Sequence, residues 1–310
     1  MTAKIVVVGS LNMDLVVRTP RIPTPGETII GHALHMLPGG KGANQAVAAA
    51  RLGAQVAMVG RVGGDAFAQP LLANLAANRV DHTWVAEDAG EATGVALIEV
   101  DDAGQNSIVV VSGANARLSP ADAEAAAAAI AAAQVLLLQL ESPLETVLRA
   151  AQLARASGVT VILNPAPARA LPAELLRTVD VLIPNESETA LLTGLPAASL
   201  EEAKAAAQAL LADGVPTVVL TLGERGALLA QPQGLAHFPA FPVTPVDTTA
   251  AGDAFVGGFA VALAEGKPLE LAVRWGNAAG ALAATQLGAQ PSLLDRPAVL
   301  ALLAHGGGEA

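Results

Sequence analysis

The chain of 310 residues is long enough for one large α/β domain with a small appendage, and its 53% hydrophobic content supplies a core despite 2% aromatics. A formal net charge of −11 without tyrosine argues against a basic, aromatic-lined nucleic-acid surface, and the absence of cysteine excludes disulfides and thiolate metal sites. The apolar run at 5–8 is too short for a secretory signal, and the longest uncharged stretch, 125–140, falls short of the roughly 20 apolar residues of a membrane span, so a cytoplasmic chain is expected.

Residues 5–8, Ile-Val-Val-Val, form the β-branched run of a buried parallel strand. Segments 14–19 and 27–37 follow as hairpin-like strands. The turn Pro38-Gly39-Gly40-Lys41-Gly42-Ala43 leads into a helix over 44–52, closed by Gly53. A strand at 56–59 and a helix at 67–78 come next. A second hairpin-like pair, 93–100 and 105–111, flanks the turn Asp101-Asp102-Ala103-Gly104. Ser119-Pro120-Ala121-Asp122 opens an Ala-rich helix with a Ser cap, Pro in the first turn and an acid three residues on. Strands at 135–140, 159–163 and 217–222 then alternate with helices at 144–157 and 201–212. An apolar run lies at 181–184, and a last helix at 254–263.

This alternation predicts an α/β fold, a doubly wound, mostly parallel sheet flanked by helices. The two β pairs break the rhythm and are expected to form a small β-sheet lid hinged near Gly39-Gly40 and Gly113. A passive dimer edge is a second reading of the same strands, compatible with the first. The expected division is therefore a core of 1–12, 41–90 and 115–310, and a lid of 13–40 and 91–114. The Gly-rich tail from 305 is expected to fray.

The stretch Asp247-Thr248-Thr249-Ala250-Ala251-Gly252-Asp253 carries the chemistry. Small residues let backbone approach a ligand, and a helix's first turn offers unpaired N–H groups that favour an anion. Asp253 placed there repels phosphate but can take a proton from an attacking hydroxyl; alternatively it only caps the helix. The earlier Gly-rich turn is no Walker A loop, because Gly42 follows Lys41 where Ser or Thr is required. Asn44 in its helix suits a polyol, and Lys41 is either a site cation or a loop residue.

Several apolar runs end in polar residues that packing does not demand: Asn12 and Asp14, Glu141, Asn164, Asn185 and Glu188, Thr221 with Gly223. In open α/β sheets ligands bind at the strands' carboxyl ends. Asn185-Glu186-Ser187-Glu188 suits phosphates and a hydrated Mg²⁺ ion. Arg51 reads as a solvated helix end, Trp84 and Trp275 as core.

Taken in order, Gly9-Ser10-Leu11-Asn12-Met13-Asp14, Pro25-Gly26-Glu27-Thr28, Gly39 to Ala46, Gln139-Leu140-Glu141-Ser142-Pro143, Asn164-Pro165-Ala166-Pro167-Ala168, Pro184 to Glu188, Thr221-Leu222-Gly223 and the Asp247 to Asp253 stretch resemble the ribokinase-type sugar kinases, the phosphofructokinase-B family. The resemblance covers nearly the whole chain. It implies ATP-dependent phosphorylation of D-ribose at the 5-hydroxyl, with Asp253 as base and Ala250, Ala251 and Gly252 as an anion hole. It assigns Asn12, Asp14, Gly40, Lys41, Asn44 and Glu141 to the sugar. It assigns Asn185, Glu188, Thr221, Gly223, Glu224, Gly226, Gly252 and Asn277 to ATP. A monovalent-cation site, usually K⁺, maps to Asp247, Thr249, Ala283, Gln286, Gly288 and Ser292, mostly through backbone oxygens. A homodimer through the lid sheet is also implied.

Other acceptors remain open: deoxyribose, fructose, a ketodeoxy sugar acid or a nucleoside. Asn12 and Asp14 favour a small pentose, because a buried amide left unpaired penalises a missing hydroxyl. The scarcity of aromatics weakens a nucleoside. A nicotinamide oxidoreductase lacks its Gly-x-Gly-x-x-Gly after the first strand, and the histidines show no metal-ligand spacing. A non-catalytic sugar sensor would have no use for Asp253 and its glycine turn.

Overall fold

The computed structural model describes residues 2–305, so the start of the expected core, Met1, and the tail beyond His305 lie outside the described residues. Thirteen strands are formed among those residues: β1 (Lys4–Val8), β2 (Asn12–Arg18), β3 (Ala33–Gly39), β4 (Gln55–Gly63), β5 (Val80–Asp88), β6 (Gly94–Val100), β7 (Asn106–Val111), β8 (Val135–Leu138), β9 (Thr160–Leu163), β10 (Val181–Leu182), β11 (Thr217–Thr221), β12 (Ala227–Gln231) and β13 (Gly234–Phe238). Nine make one sheet in the order β13-β12-β11-β10-β9-β8-β1-β4-β5, parallel from β11 to β5 and antiparallel at β12 and β13. The remaining four make a separate sheet, β3-β2-β6-β7.

The short central strands are apolar on both faces because helices cover both sides. Along β1, Ile5 and Val7 join the core with the helices Lys41–Arg51, Ala251–Ala264 and Leu269–Ala283, while Val6 and Val8 join the opposite layer with Leu144–Ala156 and Leu200–Ala212. Trp275 is buried in the first layer, whereas Trp84 is only half-buried. No helix among the described residues is long and apolar enough to cross a membrane.

Two expectations change. Residues 27–32 are loop, held at one end by the Arg21–Glu27 ion pair and at the other by the His32 N–H, which donates to the Arg18 carbonyl at 2.7 Å. The two β pairs form one small sheet, as expected, joined by a parallel pairing of β2 with β6 that sets Asn12 opposite Gly94 and Arg18 opposite Val100. Arg51 is not solvated. Its guanidinium donates to Asn78 Oδ1 (2.8 Å) and to the carbonyls of Gln290 (2.8 Å) and Leu293, tying its helix to the C-terminal segment.

Candidate active site

The strands β1, β8, β9, β10 and β11 all end at one rim, which is why their following residues can meet. Two glycines allow the helix Lys41–Arg51 to enter that rim. A Cβ on Gly40, whose φ is 88°, would stand 2.7 Å from the Asn12 nitrogen, and one on Gly42 would stand 2.6 Å from the Ser10 nitrogen. Any side chain at either position would push the helix off β1.

Asp253 is the third residue of the helix Ala251–Ala264 and does not act as its cap. The cap position is Ala250, in the left-handed region at φ 60° and ψ 9°, a conformation costing an alanine about 1 kcal/mol and found most often where function demands it. Both oxygens of Asp253 accept from side-chain amides: Oδ2 from Asn44 Nδ2 (2.9 Å) and Oδ1 from Gln45 Nε2 (3.0 Å). The Ala251 N–H is taken by Thr248 O at 3.1 Å, so the donors that the helix start can offer an anion are those of the flanking residues, Gly252 foremost.

Around this carboxylate lie two clefts. The larger, about 800 Å³, is walled by Asn12, Asp14, Gly40, Lys41, Asn44 and Glu141, and its far wall includes Ile98, Ile108 and Val110 of the small sheet. The smaller, about 230 Å³, is walled by Asn164, Asn185, Glu188, Thr221, Gly252 and their neighbours. Lys41, Thr248, Ala250 and Asp253 belong to both walls.

Glu141 and Asn12, in the wall of the larger cleft, are held from behind. Glu141 accepts from the Ser10 hydroxyl and from the Lys41 N–H (3.1 Å). Asn12 is fixed through Oδ1 by Asn115 Nδ2 (2.7 Å), and Asn115 also bonds both backbone groups of Leu11. Asn44 Oδ1 is buried with no partner, an acceptor on the cleft wall that a hydroxyl donor would satisfy.

The electrostatics are crowded. Burial, reinforced by Glu141 and Asp253 and only partly offset by Lys41, pushes the Asp14 carboxyl up to about 7. Burial likewise raises Asp253, against the opposing pull of Lys41, Asn44 and Gln45, and burial raises Glu188. Burial works against the Lys41 ammonium, but Asp253, Glu141, Glu188 and Asp14 outweigh it and hold its pKa above the ordinary lysine value.

In the smaller cleft, Asn185 caps the helix Glu186–Thr193: its Oδ1 accepts from Glu188 N (2.8 Å) and Glu188 Oε2 accepts from Asn185 N (2.9 Å). Gly223, Glu224 and Gly226 form the turn beyond β11, outside both cleft walls. Asn277 donates to the carbonyls of Phe238 (3.1 Å) and Pro239 (3.2 Å), which commits its amide to the chain itself. No group of three or more His, Asp or Glu suited to a metal occurs among the described residues.

The segment assigned to a monovalent cation is drawn together by Asp247. Its carboxylate takes the Thr249 N–H (2.9 Å) and hydroxyl (2.6 Å) and the Gly288 N–H (2.8 Å). Burial alone would raise this carboxyl, but those bonds and Arg18 hold it below its ordinary value. The Ala283 carbonyl accepts from Gln286 N (3.1 Å), and Ser292 Oγ donates to Ala289 O (2.7 Å).

Sequence reasoning gave no role to Ser10, Gln45, Asn115 or Gln139. The signal for two of them was visible: glutamines in otherwise apolar, fully buried stretches need partners.

A sheet-rim site in which a cleft lined with amides and carboxylates shares one carboxylate with a helix N-terminus suits an enzyme that modifies an alcohol beside an anion. Residues 2–296 match the pfkB family carbohydrate kinases, and the chain belongs to that family. It is 43% identical over 305 residues to the ribokinase of Haemophilus influenzae, covering 98% of this chain and 100% of the relative. It is 40% identical over 289 residues to the deoxyribokinase of Salmonella typhi, covering 93% and 94%. Among solved structures, Arabidopsis thaliana ribokinase complexed with ribose and ATP superposes with a TM-score of 0.90 at 38% identity, covering 98% and 99%. The fold is thus ribokinase-like, and the chain is a carbohydrate kinase.

Proposed function

We propose that this chain transfers the γ-phosphate of ATP to the 5-hydroxyl of D-ribose, with Asp253 as general base. The observation that carries the reading is the shared wall: Lys41, Ala250 and Asp253 border both the polyol cleft and the cleft at the helix start. A sugar in the first would present a hydroxyl to Asp253, and a triphosphate in the second would present its terminal phosphorus from the other side. Asn12, Asp14, Asn44, Glu141, Gly40 and Lys41 orient the sugar. Gly252, with Ala250 beside it, meets charge developing on the phosphoryl oxygens, while the Ala251 N–H stays committed to Thr248 O. Asn185, Glu188 and Thr221 face the phosphates, with Gly223, Glu224, Gly226 and Asn277 further out toward the base.

Mg²⁺ travels with the nucleotide in this reading and neutralises phosphate charge, with Glu188 in the wall of the smaller cleft as the nearby carboxylate. K⁺ is assigned in this reading to the residues Asp247, Thr249, Ala283, Gln286, Gly288 and Ser292, which the Asp247 carboxylate draws together through Thr249 and Gly288. The small sheet, made of parts of 13–40 and 91–114, serves as a lid on the remainder of the chain. One of its faces carries the row Met36, Leu15, Leu97 and Val109 across all four strands, with Met36 and Val109 largely exposed, which supports pairing with a second copy. A cytoplasmic setting suits an ATP-consuming enzyme of this kind.

Phosphorylation of 2-deoxyribose is the second reading, favoured by the deoxyribokinase relative. The test is ATP consumption with ribose, deoxyribose, fructose and a ketodeoxy sugar acid, each with and without K⁺. Ribose is expected to give the highest kcat/KM. A clear preference for deoxyribose would replace ribose as the acceptor, and no turnover with any of them would end the reading.

A further inference from the structure

Behind Asp253 runs a chain of three amides, Asn164, Gln45 and Gln139, of which only Asn164 reaches a cleft wall, that of the smaller cleft. The Asn164 amide donates through Nδ2 to the carbonyl of Ile183 (2.9 Å), a group that can only accept. That fixes which way Asn164 faces, so its Oδ1 must turn to Gln45, whose Nε2 donates to it (3.2 Å) and to Asp253 Oδ1 (3.0 Å). The other end of the same Gln45 amide, Oε1, accepts from Gln139 Nε2 at 2.7 Å. Gln45 and Gln139 are buried, 0% and 1% exposed. Gln139 reaches that position because residue 9 is glycine; a Cβ there would stand 2.0 Å from Gln139 Oε1.

The direction of every bond in this chain is determined. With Gln45 turned over, its carbonyl oxygen would face two other acceptors, Asp253 and Asn164, and its NH₂ would face the Gln139 NH₂. The arrangement also has a cost that a purely structural network would avoid, since Gln139 Oε1 is left buried without a partner. An apolar pair would fill the same space without that penalty.

We propose that Gln45, held in one orientation by Gln139 and Asn164, is a positioning residue that aims the Asp253 carboxylate at the acceptor hydroxyl and keeps it ionised. This rests on the kinase reading above, in which Asp253 is the base. Asn44 holds Oδ2 from the cleft side and Gln45 holds Oδ1 from the core side, so the carboxylate plane is set by two donors on different atoms. Losing the core-side donor frees the carboxylate to rotate and removes a hydrogen bond to its charged form. Misplacement of a reacting group by about 1 Å can cost a hundredfold in rate.

The experiment compares Gln45→Met and Gln139→Met, which keep side-chain length but lose the amide, with the unaltered chain and with Asp253→Asn. For Gln45→Met, kcat is expected to fall roughly tenfold to a hundredfold, sugar KM to stay within about twofold, and the acidic limb of the kcat profile to move up by about one pH unit. Gln139→Met, one bond further away, is expected to move both in the same direction by less. A packing role predicts something else: lower thermal stability with kcat and the acidic limb unchanged in the folded fraction, which would overturn the proposal. Should neither variant fold, neutron diffraction on the unaltered protein decides, since it locates amide deuterons. Gln45 deuterons directed at Asp253 sustain the proposal, and its carbonyl oxygen directed there refutes it. An active Asp253→Asn would instead remove the base assignment itself, so the two failures remain distinct.

Discussion

Asp14 gives the sharpest test of the site's electrostatics. Its carboxyl is 7% exposed, beside Glu141 and Asp253, and its pKa is pushed up to about 7 from 3.8. The carboxyl therefore binds its proton more tightly folded than unfolded. Its contribution to stability is complete below the unfolded value and is lost as pH rises through about 7. A displacement of about three pH units corresponds to on the order of 4 kcal/mol lost by pH 8. Asp14→Asn removes the charge and keeps the shape. The ligand-free variant should therefore be more stable than the unaltered chain at pH 8 by a few kcal/mol, with the gap closing toward pH 4; urea unfolding at both ends measures it. Sugar binding should show the converse. Hydroxyls donate to the ionised carboxylate, so affinity for ribose should fall about tenfold from pH 8 to pH 6, with about half a proton released on binding at pH 7. Calorimetry in two buffers of different ionisation enthalpy reads that proton. Parallel stability curves for the two chains, together with no proton release, would refute the argument.

Asp253→Asn should bind ribose with little change while turnover drops at least about a hundredfold, the low end for general-base catalysis; steady-state kinetics beside a binding isotherm check both halves. Gly252→Ala should separate stability from activity. A Cβ there meets open space and favours the helix by about 0.5–1 kcal/mol, yet its methyl enters the smaller cleft. The melting temperature should hold or rise while KM for ATP increases, and unchanged ATP kinetics would take Gly252 out of the phosphate path.

What could be read from the sequence was local. Each strand-end residue of the rim, from Asn12 to Thr221, stood out as a polar group closing an apolar run, and the turn before Asp253 announced a close approach of backbone. What escaped depended on partners far away in the chain. Gln139 meets Gln45 across 94 positions, Asn115 meets Leu11 across 104, and Arg51 meets Gln290 across 239. No local periodicity encodes such pairs. The parallel pairing of β2 with β6 escaped for another reason: alternation of period two is the same in parallel and antiparallel ladders. The edge strand β5 went unread because Asp81, His82 and Thr83 give it the half-polar composition of a loop.

An acidic chain that handles a polyanion must solve its own repulsion, and the site shows how. Lys41 is a cation common to both cleft walls, set among four carboxylates that hold it charged. One of those carboxylates, Asp14, has its pKa pushed up to about 7, so near neutral pH the site carries less negative charge than its composition suggests. In the proposed reaction the remaining attraction for phosphate would come from backbone N–H groups at a helix start, which bring no counter-charge that would need burying. The rim holds three groups at a disadvantage: Asp14 is crowded, Asn44 Oδ1 is unpaired and Ala250 is strained. In the proposed reaction, sugar hydroxyls would relieve the first two directly. Binding energy would then be available for fixing the hydroxyl against Asp253, with the cost of holding that geometry borne by the folded chain rather than by the reaction.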